Sequence, residues 1–238
     1  MKYLDLTFAE PAVNLACDEA LLDYCESKDV GEVLRVWEPA DYFVVVGYSN
    51  KVAVEVDLAA CAARKIPVYR RFSGGGAVLQ GPGCLNYSLV IKNDDIRSRD
   101  VAESFKTVLR PHQKLFAQLL AKPVQIEGIS DLAIGGRKFS GNSQHRKLRH
   151  TLFHGTFLLN LELSMIAATL RMPSKQPCYR KERPHTEFLI NLGIDSERTR
   201  LGLQRQWGAV EKLLSFPSET TQRALLERYS QDRWNFKF

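Results

Sequence analysis

Arg70-Arg71-Phe72-Ser73-Gly74-Gly75-Gly76-Ala77-Val78-Leu79-Gln80-Gly81-Pro82-Gly83 is the stretch on which the reading of this 238-residue chain turns. Three consecutive glycines leaving a strand let the backbone approach a ligand closely, bare its N–H groups and adopt φ > 0. Arg71 beside them is a fixed cationic fork suited to a phosphate or a carboxylate. A plain β-turn needs neither three glycines nor paired arginines, so a ligand-binding loop is the stronger reading. The common nucleotide fingerprints fail: no G-x-x-x-x-G-K-[ST] occurs, and the glycine run lacks the third spaced glycine and the later acidic residue of a Rossmann site. A nucleotide, if bound, is bound another way.

Working outward, Val33–Trp37, Tyr42–Gly47, Val68–Phe72 and Leu85–Ile91 are β-branched or aromatic runs bounded by Pro, Gly or Asn, and read as strands. Asn14 reads as the cap of a helix running through Cys25, with Leu15, Ala16, Ala20, Leu21 and Tyr24 on one face. Asp100 with Glu103 matches a capping pattern. The apolar residues from Phe105 to Leu120 then recur at helical spacing, with Pro111 expected to kink or restart that helix. A second group of strands is expected around Leu132–Ile134, Lys138–Ser140 and Thr151–Leu161. Strands on both sides of one long helix fit an α+β domain with mixed or antiparallel sheets better than βαβ alternation.

Two further constellations carry chemistry. In Ser130-Asp131-Leu132-Ala133-Ile134-Gly135-Gly136-Arg137-Lys138-Phe139-Ser140-Gly141-Asn142-Ser143-Gln144, Lys138 follows a Gly-Gly hairpin and points opposite to Phe139. A lone strand lysine is ordinarily solvated, but Gly141-Asn142-Ser143 lets a ligand lie against the strand beside the ammonium. Asp131 has three readings: metal ligand, partner orienting Lys138, or turn cap. The other constellation is His154-Gly155-Thr156, leading into an apolar strand. His150 and His154 share a face only on a helix, and this region reads as strand, so zinc is discounted.

Composition narrows the class. Lys and Arg number 33 against 27 Asp and Glu, a net charge of +6, with 45% hydrophobic and 25% charged residues; a disordered, collagenous or coiled-coil chain is excluded. At this length a chain buries roughly 70–75% of its unfolded surface. Cys17, Cys25, Cys61, Cys84 and Cys178 form no C-x-x-C pair, and their odd number argues for reduced thiols rather than a disulfide framework. The longest apolar runs, Tyr42–Val46 and Phe157–Leu161, fall far below the ~20 residues of a membrane helix. No secretory signal is visible, and a cytoplasmic location away from membranes is expected. The chain divides into a catalytic-size unit, 1–200, and a short helical tail, 201–238, with helical patterns at Trp207–Leu214 and Glu219–Tyr229 around Pro217.

Taken together the motif blocks resemble the biotin/lipoate A/B protein ligase family, closest to its lipoate-protein ligase A branch. The typical patterns there are R-R-x-S-G-G-G-x-V-x-H-D, then N-D-L…G-K-K-x-S-G-[SN]-[SA]-Q, then H-H-G-T. Here they correspond to Arg70–Val78, to Ser130-Asp131-Leu132 with Arg137–Gln144, and to Phe153-His154-Gly155-Thr156. Further likeness lies in Asn14–Leu22 and Val46–Asn50, and the match runs in family order from about Asn14 to Asn191. The resemblance implies a class II biotin ligase/lipoate ligase-like fold, α+β, with mixed and antiparallel β-sheets flanked by α-helices. It implies activation of lipoate or octanoate with ATP and Mg²⁺ to an acyl-adenylate. The acyl group then passes to a lysine of a lipoyl-carrier domain, on a 2-oxoacid dehydrogenase E2 subunit or a glycine-cleavage H protein. Lys138 takes the catalytic role. Arg71, Ser73, Gly74, Gly75, Gly76, Val78, Asn86, Asp131, Gly141, Ser143, His154, Gly155 and Thr156 take substrate and nucleotide binding, and no protein metal ligand is assigned.

The chain departs from the pattern in three places. Gln80-Gly81 stands where the family has His-Asp, so a role of that pair does not carry over. Ligases of this branch often carry a sizeable C-terminal accessory domain, so a separate accessory subunit is a candidate partner. Gln176-Pro177-Cys178-Tyr179 sits where the octanoyltransferase branch has its catalytic P-C-G. An ATP-independent octanoyl or lipoyl transfer through a Cys178 thioester is therefore the rival reading, with Lys138 lowering the thiol pKa. A non-catalytic acyl-adenylate or carrier-binding protein is a third. A nucleic-acid module on the basic run Arg146–Arg149 is disfavoured by the modest charge and the lack of a recognised motif.

Overall fold

The structure is a computed structural model that describes residues 1–93 and 100–238. In chain order its strands are β1 (Lys2–Asp5), β2 (Val33–Trp37), β3 (Phe43–Val46), β4 (Val68–Arg70), β5 (Val78–Gln80), β6 (Cys84–Lys92), β7 (Gln125–Glu127), β8 (Asp131–Ile134), β9 (Arg137–Arg146), β10 (His150–Leu158) and β11 (Glu211–Lys212). The helices are α1 (Pro11–Lys28), α2 (Val52–Glu55), α3 (Leu58–Ala63), α4 (Val101–Leu120), α5 (Leu163–Thr169), α6 (His185–Phe188), α7 (Ser196–Gln206), α8 (Ser218–Ala224) and α9 (Asp232–Asn235). One eight-stranded sheet runs β11-β1-β2-β6-β10-β9-β8-β7, and a smaller sheet runs β4-β3-β5. β1 pairs in parallel with β2 and β11, and β3 with β4, while the remaining pairs are antiparallel. The α+β architecture with mixed sheets is the one expected.

Burial explains which runs became strands. β2, β3 and all but the last residue of β6 are buried, so their near-continuous apolar sequences serve strands covered on both faces. α4 lays Phe105, Val108, Leu109, Leu115 and Phe116 on the large sheet, against Phe139, Phe153 and Phe157. Asp100 caps this helix, accepting from Glu103 N at 2.8 Å. The expected break at Pro111 does not occur. The buried faces before and after the proline dock on one sheet surface, and that packing outweighs the ~3 kcal/mol a helical proline costs.

Two other local expectations fail for identifiable reasons. Asn14 does not cap α1, which begins at Pro11, a residue whose missing N–H is no loss in a first turn. Asn14 is buried inside the helix: its Oδ1 accepts from Phe8 N at 3.0 Å and from Arg35 Nη2 at 2.7 Å, and its Nδ2 donates to Phe8 O at 2.8 Å. Arg35, on β2, also pairs with Asp18 at 2.6 Å, which is why α1 buries polar residues at all. Trp207–Leu214 is not helical. α7 ends at Gln206, Gly208 takes φ +56°, and the chain then extends as β11 beside β1.

The segment 201–238 is joined to the body at several points. Tyr229 donates to Glu19 Oε2 at 2.7 Å and Arg228 pairs with the same carboxylate. Trp234 Nε1 donates to Arg70 O at 2.8 Å, and Asn235 Oδ1 accepts from Arg70 N at 3.0 Å.

His112, fully buried on α4, accepts from Trp207 Nε1 through Nε2 at 2.9 Å, and burial lowers its pKa from 6.5 to about 3. The folded protein therefore keeps this imidazole neutral while the unfolded chain takes up a proton below pH ~6.5, so stability falls as pH drops from there toward 3. A His112→Gln variant should lose about 2 kcal/mol less than the parent between pH 7 and pH 5. Urea unfolding at the two pH values measures this, and equal losses would contradict it.

Candidate functional site

The glycine-rich loop is shaped by the arginines that precede it. Arg71 donates through Nε and Nη2 to Gly74 O at 3.1 and 2.6 Å, and through Nη2 to Gly76 O at 2.8 Å. Ser143 Oγ, from β9, donates to Gly74 O as well, at 3.0 Å. The loop carbonyls are thus tied back, and the amides of Gly74, Gly75 and Gly76 meet no acceptor among the described residues, leaving them as donors for an anion. Gly75 takes φ +91°. The loop also needs a second glycine outside it: a Cβ on Gly47 would run into Gly75 O and Asn50 Oδ1. Arg71 is 8% exposed, and no carboxylate among the described residues lies within ion-pair distance of it. Burial pulls its pKa down to about 10, so the guanidinium stays charged at neutral pH.

Arg70 faces the other way and serves the same loop from behind. Its guanidinium donates to Gly47 O, Tyr48 O, Asn50 O, Trp234 O and Asn235 O at 2.8–3.1 Å. Tyr48 N in turn donates to Ser73 O at 2.9 Å.

Lys138 stands on β9 just after the Gly135-Gly136 turn, whose residues take φ +56° and +72° as a two-residue hairpin requires. A bulge between Leu132 and Ala133 offsets the β8–β9 register, and Phe139 is buried in the core while Lys138 faces the cavity. Lys138 Nζ meets Asp131 Oδ1 at 2.8 Å, and Tyr179 OH donates to Asp131 Oδ2 at 2.8 Å. Of the three readings of Asp131, orientation of Lys138 is the one that the geometry matches. A Cβ on Gly141 would sit 2.7 Å from Lys138 Nζ, so any side chain there would displace the ammonium from this position. Asn142 bridges by accepting from Tyr87 OH and donating to Ser130 O, both at 2.7 Å.

β10 completes the site. His154 Nε2 and Ser73 Oγ share a hydrogen bond of 2.6 Å. Burial, helped by Arg71 and His145, lowers the His154 pKa to about 3, so this ring is a neutral strut. Gly155 gives room to Asn142, whose Oδ1 a Cβ would strike. Gln80 Nε2 donates to Thr156 Oγ1 at 3.0 Å, Thr156 Oγ1 donates to Asn86 Oδ1 at 2.9 Å, and Cys84 Sγ donates to Gln80 Oε1 at 3.2 Å. Gln80, in the place of the family histidine, is therefore a neutral group engaged at both its nitrogen and its oxygen.

Two cavities meet at Lys138. The narrower, about 170 Å³, brings together Arg71, Gly75, Gly76, Val78, Asn86, Asp131, Lys138, Gly141, Ser143, His154, Gly155 and Thr156, and reaches inward to Leu15, Trp37 and Val45. Ser73 and Gly74 lie outside its wall and act through His154 and Arg71. The wider, about 810 Å³, shares Gly76, Val78, Asp131, Lys138, Gly141 and Thr156 and extends over Leu79, Ile129, Leu170, Cys178, Tyr179 and Phe188. Sequence reasoning missed Tyr179, Tyr87 and Gly47. No spacing rule links Tyr179 to a carboxylate 48 residues earlier, and only the fold brings them together.

The profile of the lipoyl protein ligase A/B catalytic domain matches residues 10–191. A Mycoplasma pneumoniae protein named "Probable lipoate-protein ligase A" is 26% identical over 88% of this chain and 59% of its own length. Octanoyltransferase LipM of Geobacillus kaustophilus is 26% identical over 99% of this chain and 98% of its own. The bi-partite lipoate protein ligase of Thermoplasma acidophilum, studied with its E2 lipoyl domain, superposes with a TM-score of 0.82 at 21% identity, over 99% of this chain and 95% of that one. The chain spans 59% of the length of curated lipoate-protein ligase relatives from Mycoplasma and Aeropyrum. No described helix is long and apolar enough to cross a membrane. With its catalytic-domain profile covering most of the sequence and its fold that of a lipoate protein ligase, the chain belongs to the lipoyl protein ligase A/B catalytic domain family.

Proposed function

We propose that this chain activates lipoate or octanoate with ATP to an acyl-adenylate and transfers the acyl group to a lysine of a lipoyl-carrier domain. The observation that carries the reading is Lys138, held by Asp131 in the wall common to the two cavities, with the glycine loop beside it. The narrow cavity, with Leu15, Trp37, Val45 and Val78 in its lining beside Asp18, whose charge Arg35 meets, suits a slender acyl chain, and the wider one has room for a nucleotide. In the first step a carboxylate oxygen bonds to the α-phosphorus and pyrophosphate departs. In the second the carrier lysine's amine bonds to the acyl carbon, AMP departs, and the amine loses a proton.

Both steps build negative charge close to one place, first on phosphoryl oxygens and then on the carbonyl oxygen. The Lys138 ammonium and the unpaired amides of Gly74–Gly76 are preorganised donors for it. Arg71, with Nε and Nη2 engaged by the carbonyls of Gly74 and Gly76 and Nη1 by that of Val45, contributes by shaping the loop and by its positive charge. Asp131 is engaged at both oxygens and does not fit as a metal ligand, so Mg²⁺ enters this reading as the companion of ATP on phosphate and water oxygens.

The carrier would be a 2-oxoacid dehydrogenase E2 lipoyl domain or a glycine-cleavage H protein, in keeping with the E2 lipoyl domain paired with the Thermoplasma ligase. A second subunit, as in that bi-partite enzyme, and a cytoplasmic setting are parts of the same proposal.

A second reading is favoured by Cys178, which is exposed and lines the wider cavity with Lys138. The likeness to octanoyltransferase LipM over nearly all of both chains supports it. There a Cys178 thiolate would attack an octanoyl thioester, release the donor thiol, and yield the acyl group to the carrier lysine.

The intact mass of an apo lipoyl-carrier domain, after incubation with this protein, Mg²⁺ and lipoate or octanoate, should rise only when ATP is present. A Lys138→Ala variant should lower that rate on the order of 10²–10³-fold, and an undiminished rate would overturn the mechanism. Cys178→Ser should leave the ATP-dependent rate unchanged. If mass is instead gained without ATP from octanoyl-acyl carrier protein, and Cys178→Ser abolishes it, the thioester reading replaces the first.

A further inference from the structure

The segment 177–189 closes one side of the wider cavity, and a single side chain joins it to the lysine at the cavity junction. Tyr179 OH donates to Asp131 Oδ2 at 2.8 Å while Asp131 Oδ1 holds Lys138 Nζ at 2.8 Å. One carboxylate thus mediates between a phenol from one side of the cavity and the ammonium on the other. Burial and the neighbouring Asp131 charge push the phenol's pKa well up, so it remains a donor at any working pH.

Both partners are fixed to the same hairpin. The Tyr179 ring packs 5.1 Å from Phe188, and its carbonyl accepts from Arg183 Nη2 at 2.8 Å. The same Arg183 nitrogen donates to Gly136 O at 2.9 Å, in the turn that precedes Lys138. Ile190 N, at the far end of the segment, donates to Lys138 O at 3.0 Å. The phenol is therefore delivered to Asp131 with little freedom of its own.

A carboxylate bonded at one oxygen only can rotate about its last torsion and carry that bond away. Bonded at both, it presents Oδ1 in one direction. We propose that Tyr179 is a positioning residue for Lys138, acting through Asp131. The proposal rests on the reading of Lys138 as the group that meets the acyl phosphate, and it adds a residue of the 177–189 segment to that machinery. The segment's seating and the lysine's aim become one event, because displacing Tyr179 releases the carboxylate that holds Lys138.

Tyr179→Phe removes the hydroxyl and keeps the ring on Phe188. Steady-state transfer of octanoate to an apo lipoyl domain should show kcat lowered about tenfold, with the octanoate KM within about twofold. In an Asp131→Asn background the same substitution should cost nothing further, because its route to Lys138 is already cut. Independently of turnover, acylation of Lys138 by acetic anhydride at one fixed pH, followed by peptide mass, should rise several-fold in Tyr179→Phe. Unchanged labelling overturns the proposal, as do effects of the two substitutions that multiply. If the wild-type protein modifies no carrier, the ligase reading fails and the labelling alone decides the role of Tyr179.

Discussion

Two adjacent buried guanidinium groups organise this molecule, and neither meets a carboxylate among the described residues. Moving such charges out of water is costly unless every donor is met. Here backbone carbonyls meet them: Arg70 gathers those of Gly47, Tyr48, Asn50, Trp234 and Asn235, and Arg71 gathers those of Gly74 and Gly76. Carbonyls that point at a guanidinium force their peptide planes, so the amides on the other side of those planes are turned outward. The anion-accepting character of the glycine loop is thus produced from behind. Segments far apart in the chain, 47–50, 73–76 and 234–235, are held in register by two neighbouring residues at the end of β4.

The same logic recurs around Lys138 with the sign reversed. Asp131 is nearly buried and would be costly if left alone. It is met by an ammonium and a phenol, and the ammonium has no bulk opposite it because Gly141 carries no Cβ. Gly47, Gly141 and Gly155 each remove a side chain where two polar groups must pass closely, which is a different use of glycine from the turn at Gly135-Gly136. His154 and Gln80 are neutral, and their work is geometric: each fixes a hydroxyl, Ser73 at the start of the glycine loop or Thr156 in the cavity wall.

Much of this was legible before the fold was known, and what was legible depended on chain-local physics. Strands such as Phe43–Val46 announce themselves because both faces are buried and the sequence is apolar throughout, and Asp100 announces α4 because a cap is a matter of three residues. The loop, the hairpin block around Lys138 and His154-Gly155-Thr156 are visible as short motifs, and eleven of the residues they point to share one cavity wall. The failures came where tertiary contacts overrode local preference. Pro111 is carried through α4 by the sheet beneath it, Asn14 is drawn inside α1 by Arg35 from another element, and 207–214 extends because β1 offers an edge. Tyr179 was invisible in its role for the same reason, since a tyrosine gives no local sign of a carboxylate 48 residues away.

The two cavities impose an order on whatever chemistry occurs between them. The narrow cavity has Val78, Thr156 and Lys138 in its lining, so a ligand in it that carries one polar terminus to the junction presents that terminus to the ammonium. A ligand in the wider one, lined by Ile129 and Tyr179, meets the same ammonium. The two reacting groups therefore meet at one fixed cation without having to be recognised together, which converts an encounter in solution into a placement problem that the fold has already solved. The charged groups common to both cavity walls are Lys138 and Asp131, and Tyr179 from the far segment holds that pair by occupying the second carboxylate oxygen, so the cation at the junction is fixed before any ligand arrives.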